Sequence, residues 1–203
     1  MKRPWTRLAL PRWLLAGTLL CLCAPLSAQS ASGTATETVD PQLRALLTEA
    51  VNSADSFSDR FEAEVWLLDM STRMRRFIPD EAERLDFLRM VHREARRAEL
   101  KPDMVIAVIH AESLFDRFAL SSVGAQGVMQ VMPFWKNEIG RPDDNLMDLA
   151  TNLRYGCTIL RFYLDKEKGN LRRALARYNG SLGSPRYPDR VTDYWYRFWY
   201  VND

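Results

Sequence analysis

The sequence predicts a predominantly all-α protein, on the basis of two observations. Along most of the chain, apolar residues recur three and four positions apart, which is the spacing of one helix face. Residues typical of helix ends, namely Asp, Asn, Pro and Gly, stand where these periodic segments start and stop. No stretch alternates like the strands of a sheet, and the chain has no internal repeat or heptad register.

The N-terminus has the composition of a secretory signal peptide, which we place at residues 1–28. Its apolar run is shorter than the roughly 20 residues that span a membrane. We therefore expect an exported protein without a transmembrane anchor. The leader cations are Lys2, Arg3, Arg7 and Arg12, and cleavage is expected after Ala28 or Ser30.

Without the leader about 175 residues remain, which is enough for one domain with a substantial core. The formal net charge of +2 belongs to the leader, because subtracting its four cations leaves 24 basic against 26 acidic residues. This balance gives no electrostatic case for nucleic acid. Cys157 alone cannot form an intramolecular disulfide, and with only His92 and His110 a zinc site would need carboxylates to complete it, so no metal is expected.

The first part of the mature chain is predicted as a linker (residues 29–40) followed by bracing helices (residues 41–99). Two periodic segments cover residues 41–54 and 58–77. A capping pair, Asp80 with Glu83, starts a third helix that runs to about Ala98. The predicted inward stripes are Leu43, Leu46 and Leu47, then Phe61, Val65, Leu68 and Met74, then Leu85, Leu88, Val91 and Ala95.

A helix that is apolar on most sides is predicted from Pro102 onward, and a carboxylate stands at its end. Proline fits the first turn of a helix, and all the residues from 104 to 109 are apolar. Glu112 shares a face with Ile109, Val108 and Val105, so we expect desolvation to raise its pKa, as a general acid requires. The alternatives are a helix that ends before Ala111, or an arginine that pairs with the carboxylate structurally.

The remainder is predicted as a loop and three helices. The loop covers residues 121–133, where Gly124 and Gly127 allow a ligand or the central helix to pass close. Asp148 caps a helix to about Lys168, in which Gly156 indicates tight packing against another backbone. The last two segments are a short helix that Asn170 caps and an aromatic stripe of Val191, Tyr194, Trp195, Phe198 and Trp199, interpreted as core rather than as a sugar platform.

Three motifs in this order resemble those of the soluble lytic transglycosylases, which cleave bacterial cell walls with a lysozyme-like, goose-type fold. The motifs are Glu112-Ser113, the segment Gly-Ala-Gln-Gly-Val-Met-Gln-Val-Met-Pro at residues 124–133, and Tyr178-Asn179-Gly180. The resemblance covers roughly residues 100–195, within a lysozyme-like domain placed at residues 100–203. It implies a periplasmic enzyme that acts on peptidoglycan glycan strands without a cofactor or metal.

The resemblance also implies roles for single residues. Glu112 is the expected catalytic acid and base, and the other expected site residues, all in contact with substrate, are Ser113, Met129, Gln130, Tyr178 and Asn179. We expect the Tyr178 hydroxyl to lie beside Glu112 and to donate a hydrogen bond to it. Two alternatives remain open: a muramidase of the same fold that uses water, and a non-catalytic wall-binding or assembly module.

Overall fold

A computed structural model describes residues 59–202, and within this range the chain is helical, which confirms the all-α class. Apart from helices, the described backbone forms two isolated antiparallel bridges, Leu120 with Gln126 and Gln126 with Val131. The predicted leader, linker and first helix lie outside the described residues. The elements are α1 (Arg60–Met74), α2 (Glu81–Arg97), α3 (Pro102–Ser113), α4 (Trp135–Ile139), α5 (Leu149–Lys166), α6 (Leu171–Tyr178), α7 (Arg186–Tyr194) and a π-helical turn (Trp195–Trp199).

Three helices begin where the sequence placed their caps. In each case a side-chain oxygen accepts a hydrogen bond from a backbone N–H that has no partner inside the helix. These bonds fix the first residues of α2, α5 and α6. The pairs are Asp80 with the Glu83 N–H (2.8 Å), Asp148 with the Thr151 N–H (2.9 Å) and Asn170 with the Arg173 N–H (3.1 Å).

Helix α3 forms the centre of the domain. Residues 105–109 are fully buried, and α2, α7 and the π-helical turn pack around them. Pro102 occupies the first turn, as predicted, where its missing N–H breaks no helical hydrogen bond. A polar side chain at the far end of α3 is therefore held by a rigid, packed element.

The inward face predicted for α1 is wrong. Phe61, Val65 and Leu68 are exposed, and among the four predicted positions Met74 alone is buried. The helix packs on α2 with Ala63, Leu67, Met70 and Met74 instead. Both sets have helical spacing, so α1 carries two apolar stripes, and the neighbouring helix decides which of them is covered.

The loop at residues 119–133 is fastened to α5 rather than to α3. The Asn152 side chain accepts a hydrogen bond from the Met129 N–H (2.9 Å) and donates to the carbonyls of Gln126 and Leu146 (2.8 Å each). Gly127 has a φ of +71°, and a Cβ there would lie 2.4 Å from the Asn152 amide nitrogen. Asn152 is thus the group that passes close to this glycine.

Gly156 allows a close approach, but its neighbour is a side chain and not the backbone that we predicted. A Cβ at this position would lie 2.3 Å from the sulfur and 2.7 Å from the Cβ of Met129. Met129 is itself completely buried. Glycine at 156 therefore makes room on α5 for the side chain of Met129.

The predicted stripe packs against the core: Val191 and Trp199 are buried, and Tyr194, Trp195 and Phe198 are partly buried. Trp199 is buried and donates from its indole N–H to Nδ1 of His110 (3.1 Å), and Tyr194 stacks on the same imidazole with ring centroids 4.0 Å apart. Burial lowers the pKa of His110 to about 4. This histidine is a neutral core residue at physiological pH.

Two predictions made from composition concern parts that the structure describes. Cys157 is a free thiol, and burial raises its pKa. Between residues 59 and 202, no helix combines the length and the apolar character that a membrane crossing requires.

Candidate active site

Glu112 lies in the last turn of α3 and faces a cleft of about 440 Å³. The helix continues to Ser113, so it does not end before Ala111. The cleft is lined from three sides: by the end of α3, by the loop that follows it and by α7. The lining residues are His110, Ala111, Glu112, Ser113, Leu114, Ala119, Leu120, Ser121, Gln130, Arg190 and Tyr194.

The Glu112 carboxyl has a strongly raised pKa, as the apolar stripe beneath it predicted. Desolvation by burial raises this pKa to about 7, against an ordinary value of 4.5. A hydrogen bond from Tyr187 and the charge of Arg190 lower it but do not compensate. Near neutral pH the carboxyl is therefore poised between its two forms and can both give and take a proton.

The chain turns sharply directly after Glu112. Leu114 and Phe115 have φ values of +52° and +70°, a backbone region that is uncommon for side chains other than glycine. The Ser113 hydroxyl donates to the Ile109 carbonyl (3.2 Å) and accepts from the Phe115 N–H (3.1 Å). Ser113 thus holds the turn that brings Glu112 to the edge of the cleft.

The tyrosine that contacts Glu112 is Tyr187, which sequence reasoning missed. Its hydroxyl donates a hydrogen bond to Oε1 of Glu112 (2.5 Å). The predicted aromatic stripe starts at Val191, but α7 already begins at Arg186. A signal was available, because residue 187 stands four positions before Val191 and seven before Tyr194 and so extends the apolar stripe.

Tyr178 has a different partner from the one we expected. Its hydroxyl donates to the backbone carbonyl of Met129 (2.8 Å) and not to Glu112. Burial raises the pKa of Tyr178 and the charge of Glu112 adds to this shift, so the two groups interact electrostatically. Tyr178 therefore supports the protein wall behind Glu112, and its hydroxyl proton is already engaged in the hydrogen bond to Met129.

The other predicted site residues fall in three different places. Gln130 and Ser113 both line the cleft, and the Gln130 amide donates to the carbonyls of Ala119 (3.1 Å) and Gly127 (3.0 Å), which closes the loop. Met129 is buried behind the cleft and does not line it. Asn179 is exposed at the end of α6 and is also absent from the cleft wall.

The cleft contains one carboxylate among the described residues that line it. Asp116, the nearest other acid in sequence, is not part of the wall, and its Oδ1 accepts the Phe118 N–H (2.9 Å). No ion pair of Glu112 lies within 4.0 Å in residues 59–202, so structural pairing with an arginine does not account for this acid. The arrangement offers one proton donor and acceptor that works alone.

Comparison with known proteins shows that Glu112, Tyr187 and Arg190 lie in the part of the chain that matches a known family. The Transglycosylase SLT domain model matches residues 89–190, about half of the chain. The "Transglycosylase" of Enterobacteria phage PRD1 is 32% identical over 95 residues, covering 47% of this chain and 35% of the relative. Membrane-bound lytic murein transglycosylase C of Yersinia enterocolitica is 27% identical over 114 residues, covering 48% and 32%. The chain thus spans about a third of the length of these curated relatives.

Solved structures of similar proteins share little sequence with this chain. An inactive mutant of lytic transglycosylase Slt from Pseudomonas aeruginosa is 20% identical, with a TM-score of 0.44, covering 77% of this chain and 34% of its own. The 70 kDa soluble lytic transglycosylase of Escherichia coli is 17% identical, also with a TM-score of 0.44, covering 75% and 30%.

Proposed function

The chain belongs to the transglycosylase SLT domain family, and from this membership we propose that it is a peptidoglycan lytic transglycosylase. Its substrate would be the β-1,4 bond between N-acetylmuramic acid and N-acetylglucosamine, and its product a 1,6-anhydromuramoyl end. The observation that carries this proposal is Glu112, which is the one carboxylate among the described residues of the cleft wall and has a pKa raised to about 7.

Bond cleavage begins with proton transfer from Glu112. The protonated carboxyl donates to the glycosidic oxygen, and the bond between that oxygen and the anomeric carbon of the muramoyl sugar breaks. The carbonyl oxygen of the sugar's own N-acetyl group attacks the anomeric carbon and takes the place of a protein nucleophile. Glu112 is left as a carboxylate, which the Tyr187 hydrogen bond and the Arg190 charge stabilise.

The second step returns the proton to Glu112. The carboxylate takes the proton of the C6 hydroxyl, whose oxygen attacks the anomeric carbon and displaces the acetamido oxygen. The 1,6-anhydro ring closes, and Glu112 is protonated again for the next cycle. A group with a pKa near 7 suits both directions of transfer, because neither form is strongly favoured at neutral pH.

The lone carboxylate favours this route over the two-carboxylate glycosidase mechanisms. A retaining enzyme needs a second carboxyl group about 5 Å from the first, and an inverting enzyme needs one at about 6.5–9.5 Å. Asp116 does not line the cleft, and its side chain is occupied by the Phe118 N–H. The N-acetyl group of the substrate takes the place of the second carboxyl group that the cleft wall lacks among the described residues.

We assign the supporting residues from their contacts. Ser113 and Gln130 line the cleft and shape the edge that the sugar meets. Met129 and Tyr178 form the packed wall behind Glu112, and Asn179 is kept as a substrate contact from the family motif alone. We also propose a periplasmic protein, for which the mass of the exported form should place its first residue between positions 28 and 31.

The test is a digest of purified wall sacculi, analysed by mass spectrometry. The wild-type protein should release fragments with anhydro ends, and Glu112→Gln should lower the rate by at least about 10²–10⁴-fold while its circular dichroism stays unchanged. Asp116→Asn is the matched control, because it removes a nearby carboxylate that does not line the cleft. It should cleave at nearly the wild-type rate.

The other outcomes decide against the proposal in distinct ways. Reducing ends, heavier by one water, would make the protein a muramidase. Binding of glycan without any product would make it a wall-binding module. Activity of Glu112→Gln within tenfold of wild type would remove Glu112 from the mechanism.

A further inference from the structure

Among the described residues that line the cleft, one side chain is positively charged, and the proposed mechanism gives it no contact with the substrate. Arg190 lies on α7, one turn after Tyr187, and it is the one arginine or lysine among the described residues that line the cleft. Its guanidinium carbon lies 5.9 Å from the centroid of the Tyr187 ring. The side chain is exposed, so the guanidinium is accessible to a ligand in the cleft.

The acids closest to Arg190 along the helix are paired elsewhere. Asp189 forms an ion pair with Arg172 (2.5 Å). Asp193 pairs with Arg197 (3.2 Å), one turn further along the chain. In the range 59–202 no carboxylate lies within 4.0 Å of the Arg190 guanidinium, which is therefore left unpaired beside the catalytic acid.

An unpaired guanidinium at the wall of a cleft suits an anion on the ligand. Its planar fork of N–H donors matches the two oxygens of a carboxylate, and such pairs are among the stronger hydrogen bonds in proteins. The ring of Tyr187 beneath it limits the directions that the guanidinium can take. The geometry favours recognition of a planar anion over recognition of a neutral sugar hydroxyl.

We propose that Arg190 binds a carboxylate carried by the muramoyl side of the substrate, next to the bond that is cleaved. This inference rests on the proposed function. The muramoyl sugar bears a lactyl ether that ends in a carboxyl group, which is either free or joined to a peptide with carboxylates of its own. The two sources share the same chemistry and can be separated by experiment.

Binding of a carboxylate at Arg190 would also act on Glu112. In the free protein the charge of Arg190 lowers the pKa of Glu112, along with the hydrogen bond from Tyr187. Tyr178 on α6 also interacts with the acid, and His110 lies on its own helix, neutral after burial. A substrate carboxylate would partly offset the charge of Arg190, which weakens one lowering influence on the Glu112 pKa and favours the protonated acid that the first step needs.

The experiment compares three forms of one glycan polymer. The first is peptide-free strands with free lactyl carboxylates, the second is the same strands after amidation of those carboxylates, and the third is strands with intact peptides. Arg190→Gln removes the fork and the charge, and Arg190→Lys keeps the charge alone. Arg60→Gln, which removes an exposed arginine from α1, is the matched control.

For Arg190→Gln we expect kcat/KM on the carboxylate form that is recognised to fall about 10–100-fold, mainly through KM, because a charged hydrogen bond is lost. On amidated strands the loss should be smaller, because only the effect of the Arg190 charge on Glu112 remains, and it should appear in kcat rather than in KM. Arg190→Lys keeps this charge and should be the less affected of the two variants. If Arg190→Gln lowers kcat/KM on the peptide-free strands, the group that Arg190 binds is the lactyl carboxylate. If kcat/KM falls only on strands with intact peptides, the group is a carboxylate of the peptide.

Two results would overturn the proposal. Equal losses on amidated and carboxylate strands would reduce Arg190 to an electrostatic neighbour of Glu112, and unchanged kinetics would give it no part in recognition. Failure of the proposed function looks different, because the wild type would then cleave none of the three polymers. In that case binding of the same polymers to Glu112→Gln, with and without Arg190→Gln, still tests carboxylate recognition. Thermal unfolding of every variant excludes loss of fold.

Discussion

At the scale of single residues, the pKa of Glu112 results from opposing influences of unequal size. Desolvation at the end of α3 raises its pKa to about 7, while the Tyr187 hydroxyl and the Arg190 charge act in the other direction. Burial dominates because residues 105–109 on the same helix are fully buried. The two α7 groups therefore tune the acid, and the packed helix beneath it sets the sign of the shift.

Replacing Tyr187 by phenylalanine removes the one hydrogen bond that the Glu112 carboxylate accepts from another side chain within residues 59–202. A hydrogen bond to a charged group contributes about 1.5–3 kcal/mol, which corresponds to about one to two pKa units. We expect Tyr187→Phe to raise the pKa of Glu112, move the basic limb of the pH–rate profile upward by about one unit and lower kcat about tenfold or more.

Tyr178→Phe is the matched control for this variant. It removes a hydroxyl that donates to the Met129 carbonyl, so it should cost about 1 kcal/mol of unfolding free energy and leave the pH–rate profile in place. Denaturant unfolding and the pH profile separate the two tyrosines. A shifted profile in Tyr178→Phe with an unshifted one in Tyr187→Phe would reverse the assignment.

The difference between these tyrosines marks a limit of what could be predicted from sequence. Glu112 could be predicted because its apolar neighbours are fixed by the geometry of one helix, whose spacing is visible in the chain. The partner of its carboxylate lies 75 positions away on α7. Which of two tyrosines reaches the acid depends on how helices pack, and a family motif directed attention to Tyr178.

At the scale of elements, the site depends on how the loop at residues 119–133 is fastened to α5. Asn152 makes three hydrogen bonds to the backbone on both sides of that contact, and it is itself buried. Gly127 and Gly156 make the contact possible, since a Cβ at either position would collide with its neighbour. This loop brings Gln130 to the cleft, so the fastening on α5 shapes the part of the cleft wall that Gln130 forms.

Asn152→Ala should therefore be among the most destabilising substitutions in the domain. It leaves the Met129 N–H and the Leu146 carbonyl without these partners, and unsatisfied buried groups cost about 1–3 kcal/mol each. The Gln126 carbonyl still accepts from the Val131 N–H. We expect a loss of about 2–4 kcal/mol in unfolding free energy, measured by urea denaturation.

Asn145→Ala provides the comparison, because Asn145 is exposed and, within residues 59–202, its side chain bonds only to the nearby Met147 N–H. Its cost should stay below about 1 kcal/mol. Similar losses in the two variants would mean that the loop is held by its apolar residues and not by Asn152.

Sequence reasoning found the boundaries of the described helices better than their faces. Caps act locally, so Asp80, Asp148 and Asn170 could be recognised without knowing the fold. The face of α1 could not, because its two stripes are equivalent until α2 selects one. Gly156 was correctly interpreted as a packing position, yet the identity of its neighbour Met129 depended on the path of the loop.

At the scale of the whole molecule, three desolvated titratable groups make stability depend on pH in opposing directions. The pKa values of His92 and His110 are lowered to about 3 and about 4 by burial. Their contribution is fully present above the unfolded pKa of 6.5 and is lost as the pH falls through the folded values. Glu112 acts oppositely: its contribution is present below pH 4.5 and is lost as the pH rises towards about 7.

Glu94 does not change the pH dependence of stability near neutral pH. It is buried between α2 and α5 and pairs with Arg97 (2.7 Å) and Arg154 (3.1 Å). Burial opposes its ionisation, but the hydrogen bonds and charges of the two arginines lower its pKa below 4.5. Its effect on stability therefore falls in more acidic solution, where the contribution of the pair is lost as the pH drops.

Between pH 4.5 and 6.5 the unfolded chain binds protons at two histidines while the folded chain holds one more at Glu112, so stability should fall on acidification. Glu112→Gln removes the opposing contribution. We expect this variant to match the wild type near pH 4 and to be more stable by about 1–3 kcal/mol at pH 8, because a shift from 4.5 to about 7 corresponds to roughly 3 kcal/mol at most.

Urea unfolding at pH 4, 6 and 8 measures this difference, with Glu138→Gln, an exposed carboxylate on α4, as the control that should show no such trend. A stability difference that is the same at all three pH values would contradict the raised pKa of Glu112. A gain that grows with pH, in a variant that no longer cleaves glycan, would show that the folded protein tolerates a destabilising acid. Such a cost is expected where a buried carboxyl is retained for proton transfer and not for packing.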